Sequence, residues 1–275
     1  MNKKSEYVLP MQPFLRSHVG QSNFYSINED AISQVYDFTI EKGQKIDVTG
    51  VPDACVDIQI YESLDHKEKG IRVIGPNKKI CPSYIEFEDN YHYFGFILKS
   101  GYPVEIDGNP TAKLFDKILK LDDYNRSLSD IFDIITCTSK VEDKMEYAHK
   151  LLLEHIQERD SEKDMVCRYL VEYMLQHKGE LKLEDLAREV GYTPYYTNKV
   201  FCEITGQPIK RYYNTMRFQR VLNAFNSYAK QHDEKPDYSA WANDFGYSDQ
   251  SHLINHFKQC SGMTPHYYWK YILQK

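Results

Sequence analysis

The amino-acid sequence predicts an α+β multidomain chain: a β-barrel or sandwich on the N-terminal side, then an all-α part with two helix-turn-helix units. Three observations point there. Apolar side chains alternate at period two before Pro110 and recur at helical spacing after it. The helical part repeats itself at an offset of 55 to 56 residues. The length, 275 residues, suits one large domain or two ordinary ones.

Strands come first. Val56, Ile58 and Ile60 alternate with Cys55, Asp57 and Gln59, the pattern of a half-buried strand. His92, Phe94, Phe96 and Leu98 alternate likewise with Tyr93, Gly95 and Ile97. Turn clusters at Gly50-Val51-Pro52-Asp53, Gly75-Pro76-Asn77, Ser100-Gly101 and Gly108-Asn109-Pro110 separate the runs. Short strands at that spacing predict a small antiparallel barrel or sandwich over residues 1–108. Beyond Pro110 a short helix is expected over 112–119, and Val141, Met145, Ala148, Leu152 and Ile156 place another over 140–158. The charged run 157–164 is either a domain boundary or the solvated junction of two helices. From Met165 onward everything reads as helical.

There Leu186, Ala187, Val190, Gly191 and Tyr192 recur 55 residues later as Trp241, Ala242, Phe245, Gly246 and Tyr247. After one inserted residue, Phe201, Gly206 and Tyr212 recur as Phe257, Gly262 and Tyr268. Each unit is a short apolar helix, a Gly-aromatic break and a second helix ending at glycine, which outlines a helix-turn-helix. Thr193 before Pro194 caps the second helix of the first unit, and Ser248 takes the same role in the second.

The exposed faces of those second helices carry the chemistry. In the first unit Tyr196, Val200, Phe201 and Ile204 are expected inward, with Tyr195, Asn198, Lys199 and Cys202 outward. In the second, Leu253 and Phe257 point inward and Ser251, Ile254, Asn255 and Lys258 outward, with Gln250 in the exposed first turn. Amide side chains match adenine edges in a DNA major groove and Lys favours guanine. Thr193, Ser248 and the helix N-termini suit phosphates. One such face alone equally fits an ordinary solvated helix; two inside a duplicated outline favour the groove. Arg217 either bonds a phosphate or braces the two units. Lys210, Arg211, Lys258 and His266 are further phosphate candidates.

The run Gly246-Tyr247-Ser248-Asp249-Gln250-Ser251-His252-Leu253, then Phe257-Lys258, Gly262 and Thr264-Pro265, resembles the signature of AraC/XylS-type transcription regulators. Leu186-Ala187, Gly191-Tyr192, Phe201, Gly206 and Arg217-Phe218 match the first half of that pattern. The resemblance covers residues 165–275. It implies seven helices, units over 183–206 and 237–262 joined by a long helix over 208–228, and contact with successive major-groove segments about 34 Å apart. It also implies base contacts from Tyr195, Asn198 and Lys199 and from Gln250, Ser251 and Asn255. Thr197 stands where the family usually has a core Leu, and Lys199 and Asn255 where Arg is common.

Val51-Pro52-Asp53-Ala54-Cys55-Val56-Asp57, Phe94-Gly95-Phe96, Gly108-Asn109-Pro110 and Leu119-Lys120-Leu121-Asp122-Asp123 are similar, less tightly, to the sensor domain of one AraC subgroup. That resemblance implies a cupin-like barrel over 1–125 that responds to a small molecule or mediates dimerisation. A helical linker over 126–162 and a DNA-binding domain over 163–275 complete the division. A homodimer on operator DNA, with RNA polymerase as a further partner, is the assembly implied. Tyr84, Tyr91, Tyr93 and Phe96 either line an effector cavity or fill the core, and Asp53 and Asp57 either contact a ligand or, as is expected, cap a turn and face solvent.

Other chemistry is excluded residue by residue. His18, His66 and His92 stand alone, and His252 and His256 lack a third ligand, so neither a metal nor a cofactor is expected. The cysteines at 55, 81, 137, 167, 202 and 260 form no Cys-x-x-Cys, which argues for reduced thiols in a cytoplasm and against zinc or transfer chemistry. No Gly-rich phosphate loop or nucleophile elbow marks an enzyme. No apolar run approaches a membrane span, and no apolar core follows Lys3 and Lys4 to make a leader. Residues 1–160 hold 19 basic against 27 acidic side chains and residues 161–275 hold 15 against 13, a split that suits modules with different partners. The expected function is a sequence-specific DNA-binding transcription regulator modulated by a small molecule. The alternative is a ligand-binding or enzymatic β-domain whose helical part binds protein and no longer reads DNA.

Overall fold

The computed structural model describes residues 10–19, 24–26, 31–63, 68–120, 156–177 and 181–273. Its N-terminal part opens with helix α1 (Pro13–Val19) and strands β1 (Phe24–Ser26), β2 (Ile32–Ile40), β3 (Lys45–Asp47), β4 (Asp57–Ser63) and β5 (Lys69–Ile74). Strands β6 (Tyr84–Glu86), β7 (Tyr91–Leu98), β8 (Val104–Ile106) and β9 (Asn109–Pro110) follow, then helix α2 (Thr111–Leu114), β10 (Ile118–Lys120) and β11 (Ile156–Glu158). The six-stranded sheet runs β1-β2-β7-β4-β5-β10, beside a three-stranded sheet β11-β8-β9 and the pair β3-β6. All neighbours pair antiparallel. The antiparallel sheets match the expected barrel or sandwich, although among the described residues the six-stranded sheet does not close: β1 and β10 are its opposite edges.

Strand parity explains the core. Along β7, Phe94, Phe96 and Leu98 pack with Val35, Ile58, Ile60 and Val73 on one face. Tyr93 and Ile97 pack with Tyr36, Phe38 and Tyr61 on the other. Both faces are covered, so apolar residues occupy both parities.

Two expected helices end differently. The helix over 112–119 stops at Leu114; Asp116 takes φ +59°, and Ile118 to Lys120 instead add a strand opposite Ile74 to Arg72. A left-handed residue stops helix propagation, and the edge of β5 satisfies the freed backbone groups. Of the helix expected over 140–158, residues 140–155 lie outside the described residues, and 156–158 form β11, paired with β8. The charged run thus leads from a strand into a helix, not from one helix into the next. Glu158 at the end of β11 pairs with Arg168 at 2.8 Å, and Ser161 and Asp164 form a capping box that starts the next helix.

Asp53 caps its turn as expected, but both Asp53 and Asp57 are half-buried. Asp53 accepts from the Cys55 amide at 3.1 Å and from Gln12 Nε2 at 2.8 Å, while Asp57 accepts from the Tyr36 hydroxyl at 2.9 Å. Burial raises Asp53 from 3.8 to about 6, and burial with the charge of Asp53 raises Asp57 from 3.8 to about 7. The folded chain thus binds protons more tightly than the unfolded chain. Their contribution to stability is full below pH 3.8 and is lost as pH rises through about 6 to 7. Urea midpoints of the wild type are expected to fall across that window, and Asp57→Asn to flatten the upper part of the fall.

The C-terminal part contains seven α-helices among the described residues: α3 (Glu162–Gln176), α4 (Leu183–Glu189), α5 (Pro194–Thr205), α6 (Ile209–Ala229), α7 (Tyr238–Asp244), α8 (Gln250–Ser261) and α9 (Pro265–Tyr268). A π-helical turn, Trp269–Leu273, follows. Helix α6 serves two cores. Tyr212 and Met216 join Leu170, Met174, Leu186 and Phe201 in the first; Phe218, Leu222 and Phe225 join Ala242, Leu253 and Phe257 in the second. No helix among the described residues is long and apolar enough to cross a membrane.

Candidate nucleic-acid interface

The repeat holds atom by atom. Gly191 and Gly246 take φ +71° and +72° at the two turns, and the amides of Tyr192 and Tyr247 close onto the carbonyls of Ala187 and Ala242 at 3.0 and 2.8 Å. Gly206 and Gly262 take φ +76° and +77° after α5 and α8, and their amides bond the carbonyls of Cys202 and Lys258. Thr205 and Ser261 each donate a hydroxyl to the carbonyl four residues back, on Phe201 and Phe257. Those phenylalanines meet Tyr212 and Tyr268 at 5.0 and 5.6 Å between centroids. Thr205 and Ser261 are thus a further repeat pair, at an offset of 56, whose differing side chains hide it in the sequence.

The second helix of each unit presents an exposed face. On α5, Tyr195 is 81% exposed and Lys199 is open to solvent. Thr193 caps the helix by accepting from the Tyr196 amide at 3.3 Å, with Pro194 in the first turn. The inward face is shifted from the expectation: Tyr196 is 38% exposed, whereas Thr197 is fully buried and donates its hydroxyl to the Thr193 carbonyl. Tyr196 instead packs edge-on against Tyr192. On α8, Gln250, Ser251, Asn255 and Lys258 are exposed, and Ile254 is partly covered by the second core. Lys210 and Arg211 are exposed at the start of α6, and His266 at α9.

Three candidates have structural partners. Arg217 is only 6% exposed. It donates to the Gly246 carbonyl at 2.5 Å and to Asn214 Oδ1 at 3.0 Å, and lies 4.2 Å from the Tyr247 ring centroid. These contacts brace α6 against the turn of the second unit, and the same side chain lines the cleft between the units. Asn198 accepts from the Ile209 amide at 3.1 Å, which satisfies one of the open donors at the N-terminus of α6. Asn198→Ala is therefore expected to lower stability by about 0.5–2 kcal/mol, and Asn198→Asp, which keeps an acceptor, by less in the same urea titration. Ser248 is not the cap of α8. Asp249 accepts from the His252 amide at 2.8 Å, and Ser248 bonds Asp249 and His252 instead.

Between the units opens a cleft of about 680 Å³, lined among others by Lys182, Asn198, Lys210, Asn243, Ser248 and His252. Nearby titratable groups are held in fixed states. His256 bonds the Tyr247 hydroxyl at 2.9 Å, and burial aided by Arg217 lowers it from 6.5 to about 4, so the ring is neutral at pH 7. Burial raises the Cys202 thiol and pushes Cys260 up to about 12, which keeps both protonated.

The aromatic candidates of the N-terminal part do not share a cavity. Tyr84 is 77% exposed on β6. Tyr93 lies in the core on one face of β7 with Tyr91 packed against it, while Phe96 is fully buried on the opposite face. Residues of odd and even position on one strand point to opposite sides, so Phe96 cannot meet a ligand held by Tyr91 and Tyr93.

Residues 186–270 match the family described as "Helix-turn-helix domain". No curated protein matches the chain. Among solved structures, an apo variant of ToxT from Vibrio cholerae is 10% identical over 90% of this chain and 100% of its own, with a TM-score of 0.48. Unsaturated fatty acid-bound wild-type ToxT from the same organism is 12% identical over 91% and 99%, with a TM-score of 0.47. The C-terminal domain of AraT, a response regulator from Geobacillus stearothermophilus, is 20% identical over 40% and 88%, with a TM-score of 0.36.

Proposed function

We propose that this chain, whose residues 186–270 match the helix-turn-helix domain family, is a sequence-specific regulator of transcription that reads DNA with two units at once. The observation that carries this reading is the duplication: two units with the same turn, cap and hydroxyl bonds, each presenting an uncovered polar face on its second helix. In this reading Tyr195, Lys199, Gln250, Ser251 and Asn255 meet base edges. Asn198 does so only beyond its bond to Ile209. Thr193, Lys210, Arg211, Ser248 and Lys258 are assigned to phosphates. Residues 163–275 form the DNA-binding domain in this reading, joined by 126–162 to a sensor domain over 1–125. A small molecule acting on that domain, with Tyr91 and Tyr93 as candidate contacts, a homodimer, and a cytoplasmic place of action beside RNA polymerase belong to the same proposal.

The test is selection of binding sites from a random duplex library with the intact chain. Two short blocks about one helical turn apart are the expected product. Gln250→Ala should cost about 1–3 kcal/mol and relax choice at one base pair. Lys258→Ala should weaken all sequences alike and lower the salt slope by about 1. No enriched motif, or a Gln250→Ala effect uniform over all sequences, would rule out this docking.

A further inference from the structure

The β-rich part enters the cores of both reading units. Met11, Phe14 and Val51 are buried with Phe218, Phe225 and Phe257 in the second unit. Three positions after Val51, Ala54 is buried with Phe201, Ile204 and Tyr212 in the first. Ala54 takes φ +58°, a conformation uncommon for a residue with a Cβ, so the loop turns sharply between the two cores.

Between these anchors lies Gln219 of α6, fully buried. Its Nε2 donates to the carbonyls of Pro52 at 2.7 Å and Met11 at 3.2 Å, and its Oε1 accepts from the Met11 amide at 2.8 Å. Gln12 locks the loop from the other side: its Oε1 accepts from the Val51 amide at 2.8 Å, and its Nε2 donates to the Val51 carbonyl at 3.0 Å and to Asp53 at 2.8 Å. The contact reaches the ends of both exposed helices. A Cβ on Gly206, after α5, would lie 2.7 Å from the Ala112 carbonyl oxygen; one on Gly262, after α8, would lie 3.0 Å from Ile80.

Reading two successive grooves requires a fixed separation and rotation between the two helices. Buried amides need their partners, so the arrangement in which Gln219 and Gln12 are both satisfied is selected over its neighbours. We propose that the loop Val51-Pro52-Asp53-Ala54 is a positioning element for DNA reading. Latched by Gln219 and wedged between the units, it sets their mutual placement and so the length of DNA between the two recognised blocks. This rests on the DNA-reading function proposed above, and goes beyond it in assigning spacing to residues that touch no DNA.

The test uses the full chain as wild type, as Gln219→Met, which keeps length and bulk without the amide, and as Asp53→Ala, which removes one of Gln12's three bonds to the loop without opening either core. Spin labels on unnatural amino acids at positions 199 and 255 report the distance between the exposed faces. A single narrow distribution is expected for the wild type, and a broadened or displaced one for Gln219→Met and, to a smaller extent, Asp53→Ala. On duplexes whose two blocks are moved apart one base pair at a time, the wild type should prefer one spacing by roughly tenfold, and Gln219→Met should bind adjacent spacings within about twofold. Folded variants that keep the wild-type distance distribution and spacing preference would overturn the proposal. If the wild type selects no DNA at any spacing, the functional reading falls, and the label distances still decide whether the loop positions the units.

Discussion

Phe225→Ala should remove about 3–5 kcal/mol of stability and unfold the second helix-turn-helix unit before the first. The ring is fully buried and meets Tyr238, Trp241, Phe257 and Tyr268 at centroid distances of 6.0, 4.8, 5.5 and 5.8 Å. Removing it takes one wall from four aromatic neighbours that cannot all collapse into the same space. A domain retains only about 5–15 kcal/mol in total, so the loss is a large share of what holds this unit. Hydrogen exchange resolves the outcome by helix. Amides of α8 should lose protection while those of α5, whose core is built on Phe201 and Tyr212, keep most of theirs. Equal loss in both units would show that they unfold together.

Gly206→Ala and Gly262→Ala form a matched pair with unequal expected costs. Both glycines end a second helix in the left-handed region, at φ +76° and +77°, so each substitution carries the same backbone penalty, about 1–2 kcal/mol. Their surroundings differ. The new methyl at 262 meets the tip of a flexible isoleucine, whereas at 206 it meets a backbone oxygen and the Phe115 Cβ, both at 2.7 Å. Backbone cannot swing aside as a side chain does, and overpacking of that kind adds about 1–3 kcal/mol. Gly206→Ala should therefore lower the urea midpoint clearly more than Gly262→Ala. Equal midpoints would mean that the β-rich part does not press on the end of α5.

The local architecture was legible because it rests on short-range rules. Gly191, Gly206, Gly246 and Gly262 announce four left-handed turns, Thr193-Pro194 announces a cap, and all five features are found where the residues require them. Neighbouring residues of equal capacity were harder to separate. Ser248 and Asp249 are both good caps, and only the position of the His252 amide selects Asp249. Tyr196 and Thr197 differ by one step around the helix, and the fit to the first core favours the smaller side chain. Phe96 was grouped with Tyr91 and Tyr93 by aromatic character, although the alternation of the strand itself separates them. Arg217 had two chemically equal roles, and the Gly246 carbonyl and the Tyr247 face assign it to bracing. What lay beyond reading was long-range. No periodicity joins Gln219 to Met11 or Ala54 to Phe201, since those meetings depend on how two separately patterned parts dock.

That docking has a consequence for how the chain is made. The Met11 amide finds its acceptor 208 positions later in the sequence, and the Met11 sulfur meets Asn226 at 215 positions. At a synthesis rate of about 5–20 residues per second, the partner emerges roughly 10–40 s after Met11. Through that interval Met11 and Phe14 have no finished core to enter. The second unit, though built last and from nearby segments, closes only when some of the earliest residues return to it. Both units thus depend on non-local contacts, which slow folding, the first through Ala54 and the second through Met11, Phe14 and Val51. Competence of the two units in a newborn chain should be acquired in the order in which their last segments emerge, first unit then second.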